Sequence, residues 1–159
     1  MSVKIKGLDK SLADLNKKGD AIIEAVKQKL SDVATDIELQ ASSNAPTSYR
    51  IGDYVVDLKF IRQKINKKTI ENGLGFNIGL DVPSQGEQWE AWMEFGTGLS
   101  AEQILAGAQY TSEIKDQANN FFRNGKGRIV GQPYLFPAFF KNTANLVNEI
   151  EEEINKKLK

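Results

Sequence analysis

The fold is decided by one stretch of the chain, which reads Trp89-Glu90-Ala91-Trp92-Met93-Glu94-Phe95-Gly96-Thr97-Gly98. It contains both tryptophans, followed by a carboxylate, an aromatic ring and two glycines around one threonine. Its spacing suits a strand and also a helix, because the stretch is too short for periodicity to separate the two. Aromatic residues are enriched in strands, and Gly-Thr-Gly supplies a turn. The stretch therefore predicts a buried central strand that ends in a tight turn.

Composition narrows the class of protein. The chain has 159 residues, of which 40% are hydrophobic and 26% are charged, and these values are typical of one globular domain with one core. It has no cysteine and no histidine, so thiolate nucleophiles, the commonest general base and the commonest metal ligand are missing. We expect a single domain over residues 1–159 that is not an enzyme and uses no cofactor or metal.

The charge balance argues against two classes of partner. Basic and acidic residues number 21 each, so the chain has no general attraction to nucleic acid or to an anionic membrane. No run approaches the roughly 18 apolar residues of a membrane span, and the N-terminus lacks the apolar core of a signal peptide. We expect a soluble protein that is made inside a cell and binds neither a membrane nor a specific nucleic-acid sequence.

Helical spacing is strongest at the two ends of the chain. Apolar residues three and four apart predict a long helix over about residues 20–44, after a short helix that Asp9 opens and Gly19 ends. A closing helix is predicted to begin near Pro137, which suits a first turn. Its apolar stripe comprises Phe139, Thr143, Val147, Ile150, Ile154 and Leu158.

Between the helices, the period changes from helical to alternating. The run that includes Ile61 and Ile65 is followed by an unbroken alternation over residues 74–82, and Asn72-Gly73 between them is a strong hairpin signal. The sequence thus predicts an α+β fold. In this fold an antiparallel sheet of about three to five strands, including the Trp89 stretch, packs against the long N-terminal helix and the C-terminal helix.

Residues 99–131, which we call the excursion, are the least regular part of the chain. Ser100 and Gln103 resemble a capping box that opens a short helix, and a second helix is predicted farther on. The excursion has more apolar residues than a solvent loop needs, and such surface often marks an interface. The candidate interface residues are Ile104, Leu105, Ile114, Phe121 and Phe122.

Polar and aromatic residues near the centre have both a functional and a structural interpretation. Glu90 and Glu94, with Asp53 or Asp57, form a possible catalytic carboxylate set, but no partner base or metal ligand accompanies them. We favour Glu94 as an acceptor for the backbone amides of the turn that follows it. The cations between residues 62 and 68 are typical of a solvated face or an edge guard. The two tryptophans are interpreted as core rather than as a ligand platform.

Four patches together carry a resemblance to a known family. They are Gly7-Leu8 before a helix, Ala45-Pro46 followed by Gly52, Glu94-Phe95-Gly96-Thr97, and Gln132-Pro133-Tyr134-Leu135-Phe136-Pro137-Ala138 before the last helix. In this order they resemble the tail-completion proteins of long-tailed double-stranded DNA bacteriophages. That family is also described as tail terminators, head–tail joining proteins or putative minor tail components.

The resemblance implies a virion structural protein. Such proteins cap the end of the growing tail tube and prepare it for joining to the filled head, typically as a ring of identical subunits. The implied partners are copies of this chain and the phage tail tube and neck proteins, with assembly in the host cytoplasm. Two alternatives stay open: a non-enzymatic binding module of mobile-element origin that recognises a peptide or sugar, and a carboxylate-based hydrolase.

Overall fold

The computed structural model describes residues 8–80, 89–119 and 129–158. These residues form a mostly helical α+β fold, which confirms the predicted class. The helices are α1 (Leu8–Asn44), α2 (Lys59–Lys64), α3 (Trp89–Phe95), α4 (Leu99–Leu105), α5 (Ser112–Asn119), α6 (Leu135–Thr143) and α7 (Leu146–Leu158). The strands are β1 (Ser48–Ile51), β2 (Tyr54–Asp57), β3 (Ile65–Ile70) and β4 (Gly75–Leu80).

Helix α1 is one continuous helix of 37 residues. The predicted stop at Gly19 is wrong, because a glycine inside a helix costs only about 1 kcal/mol relative to alanine and the flanking turns are good helix formers. The predicted end before Pro46 is confirmed. Within residues 16–44 of α1, burial is concentrated towards the C-terminal end, where Ile37 and Ala41 are in the core, whereas Ile23 is 45% exposed.

The strands form two separate hairpins and not one sheet. Strand β1 pairs antiparallel with β2, and β3 pairs antiparallel with β4. The single sheet of three to five strands is therefore a wrong prediction. The turn at Asn72-Gly73 is confirmed, with φ angles of 55° and 92°. The β1–β2 hairpin, which turns at Gly52 with a φ of 59°, was not predicted.

Two segments predicted as strands are helical. Ile61 lies in α2, where its side chain is fully buried. The tryptophan stretch is helix α3, and the Gly96 amide closes it with a 2.7 Å hydrogen bond to the Trp92 carbonyl oxygen. Because almost every residue of α3 is buried, neither helical nor alternating periodicity is visible in its sequence.

The C-terminal helix is broken into two pieces by Ala144 and Asn145. Pro137 lies in the first turn of α6, as predicted. The predicted apolar stripe is wrong for Phe139, Val147 and Leu158, which are 43%, 69% and 53% exposed. The core side of these helices instead carries Ala138, which is fully buried.

Two apolar clusters hold the elements together. The larger cluster joins α1, α2, β3, α3 and α6, and its fully buried large side chains include Leu58, Ile61 and Met93. The smaller cluster forms around Phe95 and Tyr110 and joins α3 to the excursion and α6. Helix α3 has residues in both clusters, so it lies at the centre of the fold as the sequence predicts.

Candidate functional site

The two most specific patches of the sequence meet in space. The Gln132 amide donates to the Met93 carbonyl oxygen at 2.6 Å, and the Thr97 amide donates to the Ile129 carbonyl oxygen at 3.0 Å. The Ile129 amide in turn donates to the Thr97 hydroxyl at 3.2 Å. We call this contact between residues 90–100 and 129–136 the motif junction. It closes the excursion at its base.

Glu94 is the central polar residue of the motif junction. Its Oε2 accepts hydrogen bonds from the amides of Tyr134 and Leu135, both at 2.8 Å, and its Oε1 accepts one from the Phe136 amide at 3.0 Å. The predicted role as an acceptor of backbone amides is confirmed. The predicted donors are wrong, because they belong to the start of α6 and not to the turn after Glu94.

This arrangement satisfies the first amides of α6, which have no partner within the helix. Side chains usually cap a helix from the residue just before it, but Tyr134 at that position makes no side-chain cap bond. A carboxylate also complements the positive end of the helix dipole. Glu94 therefore acts as a helix cap supplied from another part of the chain.

Burial affects the titration of the groups around Glu94. Loss of water raises the pKa of the Glu94 carboxyl above its ordinary value, and the three amide donors only partly oppose that rise. Burial, together with the nearby Glu94 charge, raises the pKa of Tyr110 to about 12. The same causes raise the pKa of Tyr134, whose hydroxyl donates to the Glu90 carbonyl oxygen at 3.3 Å.

Two glycines allow the chain to turn inside the junction. Gly96 has a φ of 75° and Gly98 a φ of 56°, which are conformations that residues with a Cβ rarely adopt. A Cβ at Gly96 would also lie 2.6 Å from the Ser100 hydroxyl oxygen and 2.8 Å from the Gly131 amide nitrogen. The junction therefore requires glycine at position 96 for both conformation and space.

Ser100 has a different role from the one predicted. Its hydroxyl accepts a hydrogen bond from the Gly131 amide at 3.1 Å, and the residue at the cap position of α4 is Gly98, without a side-chain cap bond. The capping box with Gln103 is therefore wrong, although the short helix through Leu105 is confirmed. Ser100 thus joins the segment that enters the excursion to the segment that leaves it.

Aromatic rings fill the space behind Glu94. The Phe95 and Phe136 rings lie 5.6 Å apart, and the Tyr110 ring contacts both Phe136 at 5.7 Å and Phe140 at 5.6 Å. Leu135 packs on the larger apolar cluster. Of the remaining residues of the patch before α6, Pro133 is half-buried, whereas Gln132 and Pro137 are exposed.

The candidate interface residues of the excursion pack largely inside the protein. Leu105 is buried, and Ile104 and Ile114 pack against the smaller cluster. This cluster accounts for the apolar content that made the excursion an interface candidate. Phe121 and Phe122 lie outside the described residues, and a partner contact through the excursion stays a prediction.

The three carboxylates of the hydrolase hypothesis have different surroundings. Glu94 is occupied by backbone amides, and Glu90 is buried with its Oε1 at 3.7 Å from the Lys64 ammonium. Asp53 is exposed in the turn of the β1–β2 hairpin. A general acid and base pair needs both groups within reach of one substrate atom, and these carboxylates do not share an accessible surface.

Three side chains whose bonding partners the sequence did not predict tie the elements together. Arg62 donates to the Ser43 carbonyl oxygen at 3.2 Å at the end of α1. The Tyr49 hydroxyl accepts from the Val130 amide at 2.8 Å. Asn142 on α6 donates to Gln40 Oε1 on α1 at 2.8 Å. Their partners are 19, 81 and 102 residues away, so no local pattern marks them.

Comparison of the chain with protein-family models, curated proteins and solved structures found no match. Among the helices within residues 8–80, 89–119 and 129–158, none is both long and apolar enough to cross a membrane.

Proposed function

We propose that this chain is a bacteriophage virion protein that caps or completes the tail tube and takes part in head–tail joining. The observation that supports this most is the motif junction. The patches Glu94–Thr97 and Gln132–Ala138, which belong to the four that carry the resemblance, are bonded to each other through Glu94. Backbone bonds of Gln132 to Met93 and of Thr97 to Ile129 flank this contact. Motifs that serve one structural purpose are expected to meet in this way.

The junction supports a structural role and not a chemical one. Its carboxylate accepts three amide hydrogen bonds and is only 4% exposed. Its hydroxyl groups at Thr97 and Ser100 accept from backbone amides. These contacts fix the geometry of the chain, and they leave the junction as a rigid support for the surfaces around it.

The β1–β2 hairpin supplies a surface for ring formation. Tyr49 and Val56 are paired across the hairpin and pack on the core. Ile51 and Tyr54 form the next pair on the same face, but both are exposed, Tyr54 by 80%. The core-facing side of the hairpin thus continues beyond the core. An apolar face of this kind suits a neighbouring subunit in a closed ring of head-to-tail contacts.

The tryptophans give less support to the alternative of a peptide-binding or sugar-binding module. Trp89 and Trp92 pack against each other with ring centroids 5.4 Å apart, and both are buried. Rings that grip a ligand need an open face. We therefore assign them to the core and favour the virion function.

The test uses a phage in which this gene is deleted and supplied from a plasmid. Electron microscopy of particles made without the protein is expected to show tails of uncontrolled length or tails not joined to heads. The wild-type gene restores infectious particles, and so does Val147→Thr, a control at another exposed apolar residue. The double variant Ile51→Thr and Tyr54→Ser, which changes the exposed pair of the hairpin face, is expected to fold normally and to fail.

Two results would refute the proposal. One is normal infectious particles from the deletion without a plasmid, which removes the assembly function. The other is full complementation by the hairpin double variant, which removes the assigned subunit surface. Native mass spectrometry of the purified wild type and double variant then reports whether the hairpin change alters the number of associated subunits.

A further inference from the structure

A polar groove of about 290 Å³ lies between α1 and the β3–β4 hairpin. Lys27 and Ser31 line it on the α1 side, and Lys67, Thr69 and Phe76 line it on the hairpin side. It is far in sequence from the motif junction, with which it shares no lining residue. The function proposed above makes no use of it.

Lys67 is the unusual residue of the groove. It belongs to the row of β3 that begins at Ile65 in the core, so its side chain points towards α1. Its ammonium donates to the Thr35 hydroxyl and lies 3.4 Å from the Ser31 carbonyl oxygen. It also lies 5.7 Å from the centroid of the Phe76 ring. These contacts of the Lys67 ammonium, within residues 8–80, 89–119 and 129–158, are all with uncharged groups.

An ammonium group has three N–H donors, and the two oxygens on α1 account for two of them. The third donor and the positive charge of Lys67 are left for whatever occupies the groove. A half-buried cation is stabilised most by an anion, because charge–charge attraction strengthens as water is displaced. The groove therefore favours a negatively charged group at Lys67.

The rest of the groove has matching chemistry. Lys27 contributes a second ammonium, which pairs with Glu24 at 3.0 Å, and the Glu24 side chain is 71% exposed. The charged side chains of the lining are two lysines and one glutamate, so the lining has a net charge of +1. Thr69 adds an exposed hydroxyl, and Phe76 offers an apolar wall.

We propose that this groove is a binding site for a small oxyanion, either a carboxylate or a phosphate group. Lys67 holds one anion oxygen, Lys27 adds a second positive charge across the groove, and the Thr69 hydroxyl donates to another oxygen. A lysine ammonium acts as a point charge and accepts either geometry. The groove therefore favours a negatively charged oxygen ligand, and the experiment below distinguishes a carboxylate from a phosphate group.

The competing explanation is that Lys67 is an inward-pointing charge that guards the hairpin edge against aggregation. An edge guard needs no particular anion and gives no saturable site. Binding of an anion with a defined stoichiometry at the groove therefore separates the two explanations.

The experiment is a titration of ¹⁵N-labelled protein with sodium phosphate and, separately, with sodium glutarate, at ionic strength held constant with sodium chloride. At least one anion is expected to shift the amides of residues 67–76 along a saturable curve. Saturation by glutarate alone identifies a carboxylate site, and saturation by phosphate alone identifies a phosphate site. Lys67→Gln should weaken binding about tenfold, because it removes a charge-assisted hydrogen bond.

Two further variants keep the test decisive. Lys141→Gln removes an exposed lysine on α6 and should leave the affinity unchanged. Thr69→Val keeps a β-branched strand residue, so it should fold even if Lys67→Gln does not, and it should weaken binding several-fold. Shifts that never saturate for either anion, or equal affinity in all variants, overturn the proposal and leave the tail function as argued.

Discussion

Three glycine-to-alanine substitutions separate backbone strain from crowding in this protein. Gly96 has both a positive φ of 75° and close neighbours, whereas Gly52 has a positive φ of 59° with nothing within 4 Å of the added Cβ. Gly19 lies inside α1, also with nothing within 4 Å of the added Cβ. Gly52→Ala is therefore the matched control, which measures backbone strain without crowding. Gly19→Ala measures the effect of adding a methyl group where there is neither strain nor crowding.

The magnitudes follow from these surroundings. Forcing alanine into the left-handed region costs about 1–2 kcal/mol, and this is the whole effect expected at Gly52. At Gly96 the new methyl group also lies 2.8 Å from a backbone nitrogen of Gly131, which cannot move without disturbing its bond to Ser100. Loss of one or two junction hydrogen bonds adds about 1 kcal/mol each, so the total for Gly96→Ala is about 2–4 kcal/mol.

The assay is urea unfolding of the wild type and the three variants, followed by circular dichroism. Gly19→Ala should stabilise the protein by about 1 kcal/mol, because alanine is the better helix former. Gly96→Val should be worse than Gly96→Ala, because a β-branched residue is more strained at positive φ. If Gly96→Ala costs no more than Gly52→Ala, the close approach at the junction does not exist in solution.

The remaining predictions concern charge. Glu94→Gln should reduce the free energy of unfolding by about 1–3 kcal/mol, because one buried amide of α6 loses its acceptor, whereas the exposed control Glu102→Gln should change it by less than about 0.5 kcal/mol. Because burial raises the Glu94 pKa above 4.5, the protonated form stabilises the fold below that pH, and the stabilisation is lost as pH rises towards the folded pKa. As pH rises from 4.5 towards the folded pKa, the free energy of unfolding should therefore fall more for the wild type than for Glu94→Gln. Urea unfolding at a series of pH values measures this, and parallel curves of unfolding free energy against pH would contradict the raised pKa. The Tyr110 hydroxyl should titrate near pH 12 in folded protein. An alkaline absorbance titration of the wild type should therefore show a step near pH 12 that is missing in Tyr110→Phe. Lys29→Gln breaks a 2.6 Å bridge to Glu149 between α1 and α7 and should cost less than about 1 kcal/mol, because both side chains are partly exposed; a larger loss in thermal unfolding would show that this pair has a structural role.

Sequence reasoning succeeded where one residue type has one physical meaning. Asn72-Gly73 indicated a hairpin because few other residues accept positive φ twice in succession. Pro46 indicated the end of α1, because the residue before a proline is disfavoured in a helix. Glu94 was interpreted as an amide acceptor because no partner base accompanies it and a carboxylate bonds well to backbone amides.

It failed where the partner is distant or the element is short. The amides that bind Glu94 are 40 to 42 residues away, and nothing near Glu94 in the sequence points to them. Helix α3 spans seven residues and is buried on nearly all sides, so its pattern contained no period to detect. Strands β1 and β2 have four residues each, which is too short for a reliable alternation.

The capping of α6 by Glu94 also constrains the order in which the chain folds. Helix α6 has nine residues, and helices shorter than about 12–15 residues are marginal on their own in water. Its start is completed only when a carboxylate from α3, 40 residues earlier, arrives at the Tyr134 amide. We therefore expect α6 to become stable only after this long-range docking, late in folding. Because Glu94 accepts from the amides of Tyr134, Leu135 and Phe136, we expect α3 and the start of α6 to open and close as one cooperative unit, which hydrogen exchange of these three amides would report.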